Sequence, residues 1–274
     1  MKPNKKSKYF YPIFNAPLIS VITVVFNAED LIEGTVKSIL EQTYPNIEYI
    51  IIDGGSTDGT VRKINRFHRK IKYFVSEADK GIYDAMNKGI LAAKGDWIIF
   101  INAGDYFFSN DTVSQVVKKM DRSTKIFFGG VEIDYAKFSR FEFPGSPRNL
   151  WRGMQFSHQS VFIKLSYHQK NLYNINNKIT ADLEFLYTAY SNKIKFKKIN
   201  LIISRVTIGG ISESSRYKTI RSSCDAICGK EIKPLIRFFY LLLLLNLIFR
   251  KFIKFILPEI LIQKIILNKS NNKS

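Results

Sequence analysis

Apolar and polar residues alternate in blocks along the first hundred residues, and each strand-like block is followed by a helix-like one. Residues 20–27 are rich in β-branched residues and predict a first strand. Apolar residues at helical spacing follow, up to a break at 42–45. Further strands are predicted at 49–52, 72–76 and 97–101, with helices from about 60 to 69 and from 81 to 93. This alternation predicts an α/β fold whose mostly parallel sheet is covered by helices on both faces.

The most informative turn follows the strand at 49–52 and reads Asp-Gly-Gly-Ser-Thr-Asp-Gly-Thr from residue 53. A carboxylate at the carboxyl end of a parallel strand faces the crevice where open α/β sheets bind ligands. The turn has neither the Gly-Lys-Ser/Thr of a phosphate loop nor the G-x-G-x-x-G spacing of a dinucleotide fingerprint. Taken alone, it is equally an ordinary strand-to-helix turn in which Asp58 and Thr60 cap the helix.

Length and charge narrow the class of protein. A chain of 274 residues can form one large α/β domain plus an appendage. The formal net charge of +19 predicts an anionic partner, and nucleic acid is not expected because no nucleic-acid module signature is present. Cys224 and Cys228 are too few for a zinc site and are expected to be core residues. The first residues are polar and basic without an apolar signal-peptide core, so we expect the chain to stay in the cytosol.

The C-terminal segment, residues 216–274, is both apolar and basic. Its apolar run at 238–249 is bracketed by Arg237 and Arg250 and is shorter than the roughly 20 residues that a spanning helix needs. Such a basic amphipathic segment favours contact with an anionic membrane surface. A helix packed on the rest of the protein and a short spanning or re-entrant hairpin are the alternatives.

Four motifs resemble, in order and spacing, those of family 2 glycosyltransferases with the GT-A fold. They are Ser-Val-Ile-Thr-Val-Val-Phe-Asn-Ala from residue 20, Ile-Ile-Asp-Gly-Gly-Ser-Thr-Asp-Gly-Thr from 51, Asp-Lys-Gly-Ile-Tyr-Asp-Ala-Met-Asn-Lys-Gly-Ile from 79 and Asn-Ala-Gly-Asp from 102. The resemblance implies a Rossmann-like GT-A domain at 18–215, with a nucleotide-sugar half at 18–108 and an acceptor half at 109–215. A basic tail at 1–17 precedes this domain, and C-terminal amphipathic or hydrophobic helices follow it.

The resemblance implies that the donor is a nucleotide diphosphate sugar. Phe26 would stack on the base and Asp53 would accept from the base or the ribose, although Phe26 is nearly as well explained as a core aromatic. The remaining residues implied for this site are Asp79, Lys80, Gly81, Asp84, Asn87, Asn102 and His158. Relatives often carry an Arg before the residue that matches Asn87, where this chain has Met86. His158 is equally well read as a structural histidine, and His68 and His168 are expected at the surface.

The resemblance also implies a metal ligand and a general base. Asp105 is the candidate ligand for Mg²⁺ or Mn²⁺, because it is the one carboxylate left where the family usually has Asp-x-Asp or Asp-Asp. Asp182 is the candidate base, although Ala181 replaces the usual Glu before it and Glu184 should face elsewhere on the helix. The alternative for either aspartate is a capping role at a helix.

These expectations describe an inverting glycosyltransferase. It would move a hexose-type sugar, preferably from a UDP-sugar, to a hydroxyl of a lipid-linked saccharide in cell-envelope polysaccharide or O-antigen synthesis, at the cytoplasmic face of the inner membrane. A sugar nucleotidyltransferase is one alternative, although that class usually has a Gly-rich basic loop after the first strand. A non-enzymatic membrane-surface binding protein is the other, and it would not need Asp53, Asp105 and Asp182 to converge.

Overall fold

The computed structural model describes residues 16–135, 137–207, 216–229 and 233–256. Its first half alternates strands and helices as the sequence predicts. The elements are β1 (Ile19–Val25), α1 (Glu29–Leu40), β2 (Ile47–Asp53), α2 (Thr60–Asn65), β3 (Tyr73–Ser76), α3 (Ile82–Ala92) and β4 (Trp97–Phe100). The helix predicted to reach residue 69 ends at Asn65, and a separate 3-10 turn at His68–Lys70 follows it.

The second half adds shorter and more irregular elements around a longer strand pair. They are β5 (Tyr106–Phe107), α4 (Thr112–Val117), β6 (Ile126–Asp134), β7 (Ser139–Glu142), β8 (Val161–Lys164), α5 (Leu165–His168), α6 (Ala181–Ser191), β9 (Phe196–Thr207), α7 (Arg216–Cys228) and α8 (Pro234–Ile256). Short 3-10 turns lie at Pro147–Arg152 and His158–Ser160.

One sheet of nine strands runs through the described residues in the order β3-β2-β1-β4-β8-β6-β9-β5, with β7 paired to β6. The pairs of β1 with β2 and β4, of β2 with β3 and of β6 with β9 are parallel. Only β5, β7 and β8 run against the others, because each pairs antiparallel with its neighbours. The predicted mostly parallel sheet is therefore confirmed. In this register Val25 lies opposite Asp53, so β1 and β2 end at the same edge.

Two apolar cores, one on each face of the sheet, hold the helices in place. Alternate residues of β1 point to opposite faces, so that Ile22 packs with α3 and α6 while Val21 packs with α1 and α4. Both side chains are fully buried, and burial of each contributes roughly 1.5–3 kcal/mol. The site at the strand ends therefore rests on a rigid scaffold.

Helix α8 packs one stripe against the rest of the protein and leaves another exposed. The ring of Phe239 meets Trp151 edge-on at 5.2 Å, and Tyr240 is 2% exposed. The exposed stripe comprises Leu235, Phe238, Leu242, Leu245, Phe249 and Phe252, and the exposed Leu241 and Ile248 lie beside it. Within the described ranges, no helix has the length and apolarity required to cross a bilayer. The predictions for most of the basic tail and for the end of the C-terminal segment lie outside the described residues.

Candidate active site

The candidate nucleotide pocket lies where β1 and β2 end. Phe26, directly after β1, is 61% exposed and is therefore not a core residue. A Cβ placed on Gly54 would clash with the carboxylate of Asp79 and would lie 3.5 Å from the Phe26 ring. Three of the predicted features, the aromatic, the glycine turn and Asp79, thus meet around one opening at the strand ends. A glycine at residue 54 therefore permits the close approach of Asp79, which a side chain would displace.

Asp53 organises the turn beneath this pocket. Its Oδ2 accepts hydrogen bonds from the backbone N–H of Ser56 at 2.9 Å and the hydroxyl of Ser76 at 2.6 Å. The hydroxyl of Ser56 donates to the other oxygen, and the side chain of Asp53 is fully buried. This geometry argues against the predicted direct contact with base or ribose, because the carboxylate is already occupied inside the protein. It gives Asp53 the role of positioning the loop that borders the pocket.

The donor-side loop before α3 is also built by its own carboxylates. Asp79 accepts from the backbone N–H of Gly81 at 2.7 Å, and Asp84 accepts from that of Lys80 at 3.0 Å. Gly81 has a φ of +116°, which favours glycine. The side chain of Lys80 is exposed beside this loop. These contacts fix the first turn of α3 against the opening.

Asn87 faces the interior and joins α3 to the acceptor half. Its amide donates to the backbone carbonyl of Tyr173 at 2.9 Å and accepts from the backbone N–H of the same residue at 2.9 Å. With 8% exposure and both ends of the amide occupied, Asn87 is not available to a donor in this arrangement. Met86 is 1% exposed, so this departure from the family pattern is an apolar residue in the core.

Asp105 is a buried carboxyl beside the end of β4. It is 6% exposed, and its Oδ2 accepts a hydrogen bond from the Gln159 side chain at 3.1 Å. Burial raises the pKa of Asp105 to about 6. A cation would offset this desolvation, and Mg²⁺ is commonly held by one carboxylate together with substrate phosphates. The described residues contain no group of three or more His, Cys, Asp or Glu side chains suited to a metal.

Asp182, in the first turn of α6, is held by three donors. Its Oδ1 accepts from the Tyr83 hydroxyl and from the backbone N–H of Leu183, both at 2.9 Å. Its Oδ2 lies 3.2 Å from Nδ1 of His158. Glu184 faces elsewhere, as predicted, because its carboxylate accepts from the side chain of Asn177 at 2.9 Å. Of these two carboxylates, the one at residue 182 is thus the one that contacts Tyr83 and His158.

The pair His158 and Gln159 bridges the candidate base and the candidate metal ligand. Gln159 contacts Asp105, and His158 contacts Asp182. Nε2 of His158 lies 3.2 Å from Nδ2 of Asn102, which follows β4. Because Asp182 can only accept, Nδ1 carries a proton and the imidazole is oriented by both neighbours. Asp105 and Asp182, far apart in sequence, therefore belong to one hydrogen-bonded site.

Three features of the site were not found by sequence reasoning. Tyr83 lies inside the motif that begins at Asp79, and Gln159 directly follows His158, but only long-range contacts reveal their partners. Lys178 donates to the backbone carbonyl of Lys80 at 2.6 Å across the cleft. The predicted surface position of His168 is wrong: the ring is fully buried and stacks on Phe185 at 4.3 Å.

Sequence comparisons agree with this geometry. The profile of a family described as Glycosyl transferase family 2 matches residues 20–184, which is more than half of the chain. An uncharacterized glycosyltransferase of Mycobacterium tuberculosis is 37% identical over 182 residues, covering 64% of this chain and 70% of the relative. A PGL/p-HBAD biosynthesis glycosyltransferase of Mycobacterium bovis is 28% identical over 196 residues, covering 65% of this chain and 71% of the relative. These matches argue against a sugar nucleotidyltransferase and a non-enzymatic binding protein.

Solved structures with the same fold are glycosyltransferases of low sequence identity. Residues 1–349 of Staphylococcus aureus TarS in complex with UDP-GlcNAc give a TM-score of 0.62 at 17% identity, over 79% of this chain and 68% of that one. The mannosyltransferase PcManGT of Pyrobaculum calidifontis, in complex with GDP-Man and Mn²⁺, gives 0.62 at 18%, over 83% and 69%. The match covers 40% of a longer TarS structure. The predicted GT-A fold is therefore confirmed.

Proposed function

The chain belongs to glycosyl transferase family 2, and from that premise we propose that it moves a hexose-type sugar from a nucleotide diphosphate sugar to a hydroxyl of a lipid-linked saccharide, with inversion. The proposed donor is a UDP-sugar. The proposed setting is cell-envelope polysaccharide or O-antigen assembly at the cytoplasmic face of the inner membrane. The relative named for PGL/p-HBAD biosynthesis and the TarS complex with UDP-GlcNAc support these choices by similarity.

The observation that carries the proposal is the bridge formed by His158 and Gln159. It links Asp105, on the donor side, to Asp182, on the acceptor side, through two adjacent residues. A transferase needs a charged group near the leaving diphosphate and a base near the incoming hydroxyl, held at a fixed separation. This arrangement meets that requirement.

The proposed reaction is a single displacement. The carboxylate of Asp182 takes the proton of the acceptor hydroxyl while the oxygen forms a bond to the anomeric carbon. The bond between that carbon and the diphosphate oxygen breaks, and its electron pair leaves with the nucleoside diphosphate. Attack from the side opposite the leaving group inverts the anomeric configuration. Tyr83 and His158 keep the carboxylate aimed at the hydroxyl during this step.

We propose that Asp105 holds Mg²⁺ or Mn²⁺ together with the donor diphosphate. Such an ion supplies Lewis-acid stabilisation of the negative charge that develops on the leaving group. The raised pKa of Asp105, caused by its burial, supports a cation partner, because the carboxylate is desolvated without one. Phe26 and Asp79 border the opening that would receive the nucleotide.

A membrane-linked acceptor is supported by the exposed stripe of α8. Its residues repeat at intervals of three or four, so they form one continuous apolar face of the helix. The exposed cations Arg237 and Arg250 lie near the two ends of that face. A basic, apolar helix face of this kind suits an anionic bilayer surface, where the acceptor lipid would be anchored.

The test is release of nucleoside diphosphate from a panel of nucleotide sugars, with a bacterial lipid extract as acceptor and Mg²⁺ or Mn²⁺ present. We expect one donor to give release and a glycosylated lipid. Asp182→Asn should slow turnover by roughly two to four orders of magnitude, the usual share of a general base. The matched control is Glu184→Gln, two residues further along α6, which should retain wild-type turnover.

Each component of the proposal can fail separately. Absence of release with every donor would reject the transferase activity itself. Full turnover of Asp182→Asn would assign the base to another residue. Full activity in the presence of EDTA would reject the role of the metal. Equal activity on soluble saccharides would reject the lipid-linked acceptor.

A further inference from the structure

The donor-side loop and the segment that carries the base form one hydrogen-bonded unit. Lys178 donates to the backbone carbonyl of Lys80 at 2.6 Å, and Asn87 makes two hydrogen bonds to the backbone of Tyr173. Between these contacts, the hydroxyl of Tyr83 reaches across to the segment before α6. The loop before α3 and the helix itself are thus tied at three points to residues 173–182.

Within this unit, Tyr83 is the residue that contacts the candidate general base, Asp182, directly. Its hydroxyl lies 2.9 Å from Oδ1 of Asp182 and 3.0 Å from the backbone carbonyl of Ile179. The side chain is 7% exposed, and its ring packs against Tyr173 at 5.4 Å. Burial, and then the neighbouring carboxylate, raises the pKa of the Tyr83 hydroxyl, so it remains a protonated donor.

The orientation of the Asp182 carboxylate depends on contacts to both of its oxygens. Leu183 belongs to the same helix and moves with it. Tyr83 and His158 come from two other parts of the chain, and each contacts a different oxygen. Removal of the Tyr83 hydroxyl would therefore leave Oδ1 with the N–H of Leu183 as its remaining donor, and the carboxylate would be held less firmly while the helix that carries it stays in place.

We propose that Tyr83 is a positioning residue that couples the donor-side loop to the base. It starts from the first turn of α3, directly after the loop formed by Asp79 and Gly81, and ends on Asp182. The carboxylate is aimed when that loop is in the arrangement that borders the donor. This inference rests on the proposed function, since it assigns to Tyr83 an effect on the step in which Asp182 takes the proton.

The experiment is a double-mutant cycle with Tyr83→Phe, Asp182→Asn and the combined variant in the full chain. The change to Phe keeps the ring and removes only the hydroxyl. A hydrogen bond to a charged group is worth enough to lower kcat about 10- to 100-fold when it is lost. The donor Kd, measured with the donor identified for the wild type, should stay within about twofold, because the hydroxyl faces the base. In the Asp182→Asn background, Tyr83→Phe should cause no further loss, since it acts through that carboxylate.

Tyr49→Phe is the matched control. The Tyr49 hydroxyl is also buried, lies 3.0 Å from that of Thr23 and belongs to the core on the other face of the sheet. Both tyrosine variants lose a buried hydrogen bond, so their Tm values should fall by similar amounts, but only Tyr83→Phe should lose kcat. Wild-type kcat in Tyr83→Phe, multiplicative losses in the double variant or an equal loss in Tyr49→Phe would overturn the coupling. A wild type that is inert with every donor would overturn the proposed function as well.

Discussion

The carboxyl group of Asp105 is buried, and burial makes its ionised form unfavourable. Burial raises its pKa to about 6, against an ordinary value near 4. As the pH falls through 6, Asp105 therefore takes up a proton in the folded protein, whereas in the unfolded chain it does so near pH 4. Between about pH 6 and 4 its contribution to stability improves as the pH falls, and above pH 6 the ionised form is destabilising.

Asp105→Asn should make the folded protein more stable and less active. The amide keeps an oxygen for Gln159 and removes the buried charge, so the free energy of unfolding at pH 7.5 should rise by about 1–3 kcal/mol. The same change should remove most transfer activity. Urea unfolding at pH 7.5 and pH 4 measures the first effect, which should shrink at the lower pH. Asp30→Asn, at a side chain that is 99% exposed, is the control and should change neither property. A destabilised Asp105→Asn variant at pH 7.5 would contradict this account.

Burial has the opposite effect on the pKa of His168. Burial lowers the pKa of this imidazole to about 4, and its buried Nε2 has no hydrogen-bond partner among the residues that the structure describes. The neutral ring is therefore favoured in the folded protein. Its contribution to stability is fully present above the ordinary pKa near 6.5 and is lost as the pH falls towards 4.

His168→Phe should reduce the acid sensitivity of the fold. The new ring can stack on Phe185, and it cannot take up a proton. Between pH 7 and pH 4.5, the variant should lose about 2 kcal/mol less unfolding free energy than the wild type. The measurement is urea unfolding at both pH values, with His68→Gln at the exposed histidine as control. An unchanged pH dependence would mean that the ring is solvated in solution.

At the scale of elements, local patterns predicted the first half of the fold well. The strands and helices from β1 to β4 were found within a few residues, except for the early end of α2, because their periodicity is a local property. The long pair β6 and β9 was not predicted, since its partners are about 70 residues apart. The resemblance placed Asp84 and Asn87 in one site, but it could not show that Asn87 turns inward to Tyr173. Long-range contacts decide such details.

Helix α8 is another element that local patterns could not resolve. Its composition alone did not distinguish a helix packed on the protein from one that contacts a membrane. In the structure one stripe of this helix is packed and another is exposed, so membrane contact, where it occurs, would involve the exposed stripe. Truncation would remove both stripes together and uncover the core around Tyr240, which is 2% exposed. Substitution of the exposed stripe is therefore the sharper test.

The triple variant Leu235→Gln, Leu242→Gln and Phe249→Gln should release the protein from anionic vesicles. Each side chain is about half exposed or more, so little core packing is lost. The loss of three inserted apolar groups should weaken binding by at least about tenfold in vesicle sedimentation. Leu91→Gln, at a residue that is 61% exposed on α3, is the matched control. Undiminished vesicle binding by the triple variant, with an unchanged Tm, would mean that the exposed stripe does not contribute to membrane binding.

At the scale of the whole molecule, charge and apolar surface act together. The formal net charge of +19 attracts the chain to any anionic surface, while the exposed stripe of α8 is a local feature. Attraction between charges is screened by salt, and burial of apolar side chains is not. Salt therefore separates the two contributions in one experiment.

Binding of the full chain to anionic vesicles should fall with rising salt but persist at high salt. Each cation near the surface contributes on the order of 1 kcal/mol, so the combined change Arg237→Gln and Arg250→Gln should weaken binding at low ionic strength by about ten- to thirtyfold. The same variant should bind like the wild type at high salt, where the apolar stripe alone remains effective. The triple apolar variant should show the reverse, with residual binding that salt abolishes. If the wild type ignores anionic vesicles even at low salt, the stripe is covered by a protein surface, and a soluble saccharide becomes the better candidate for the acceptor.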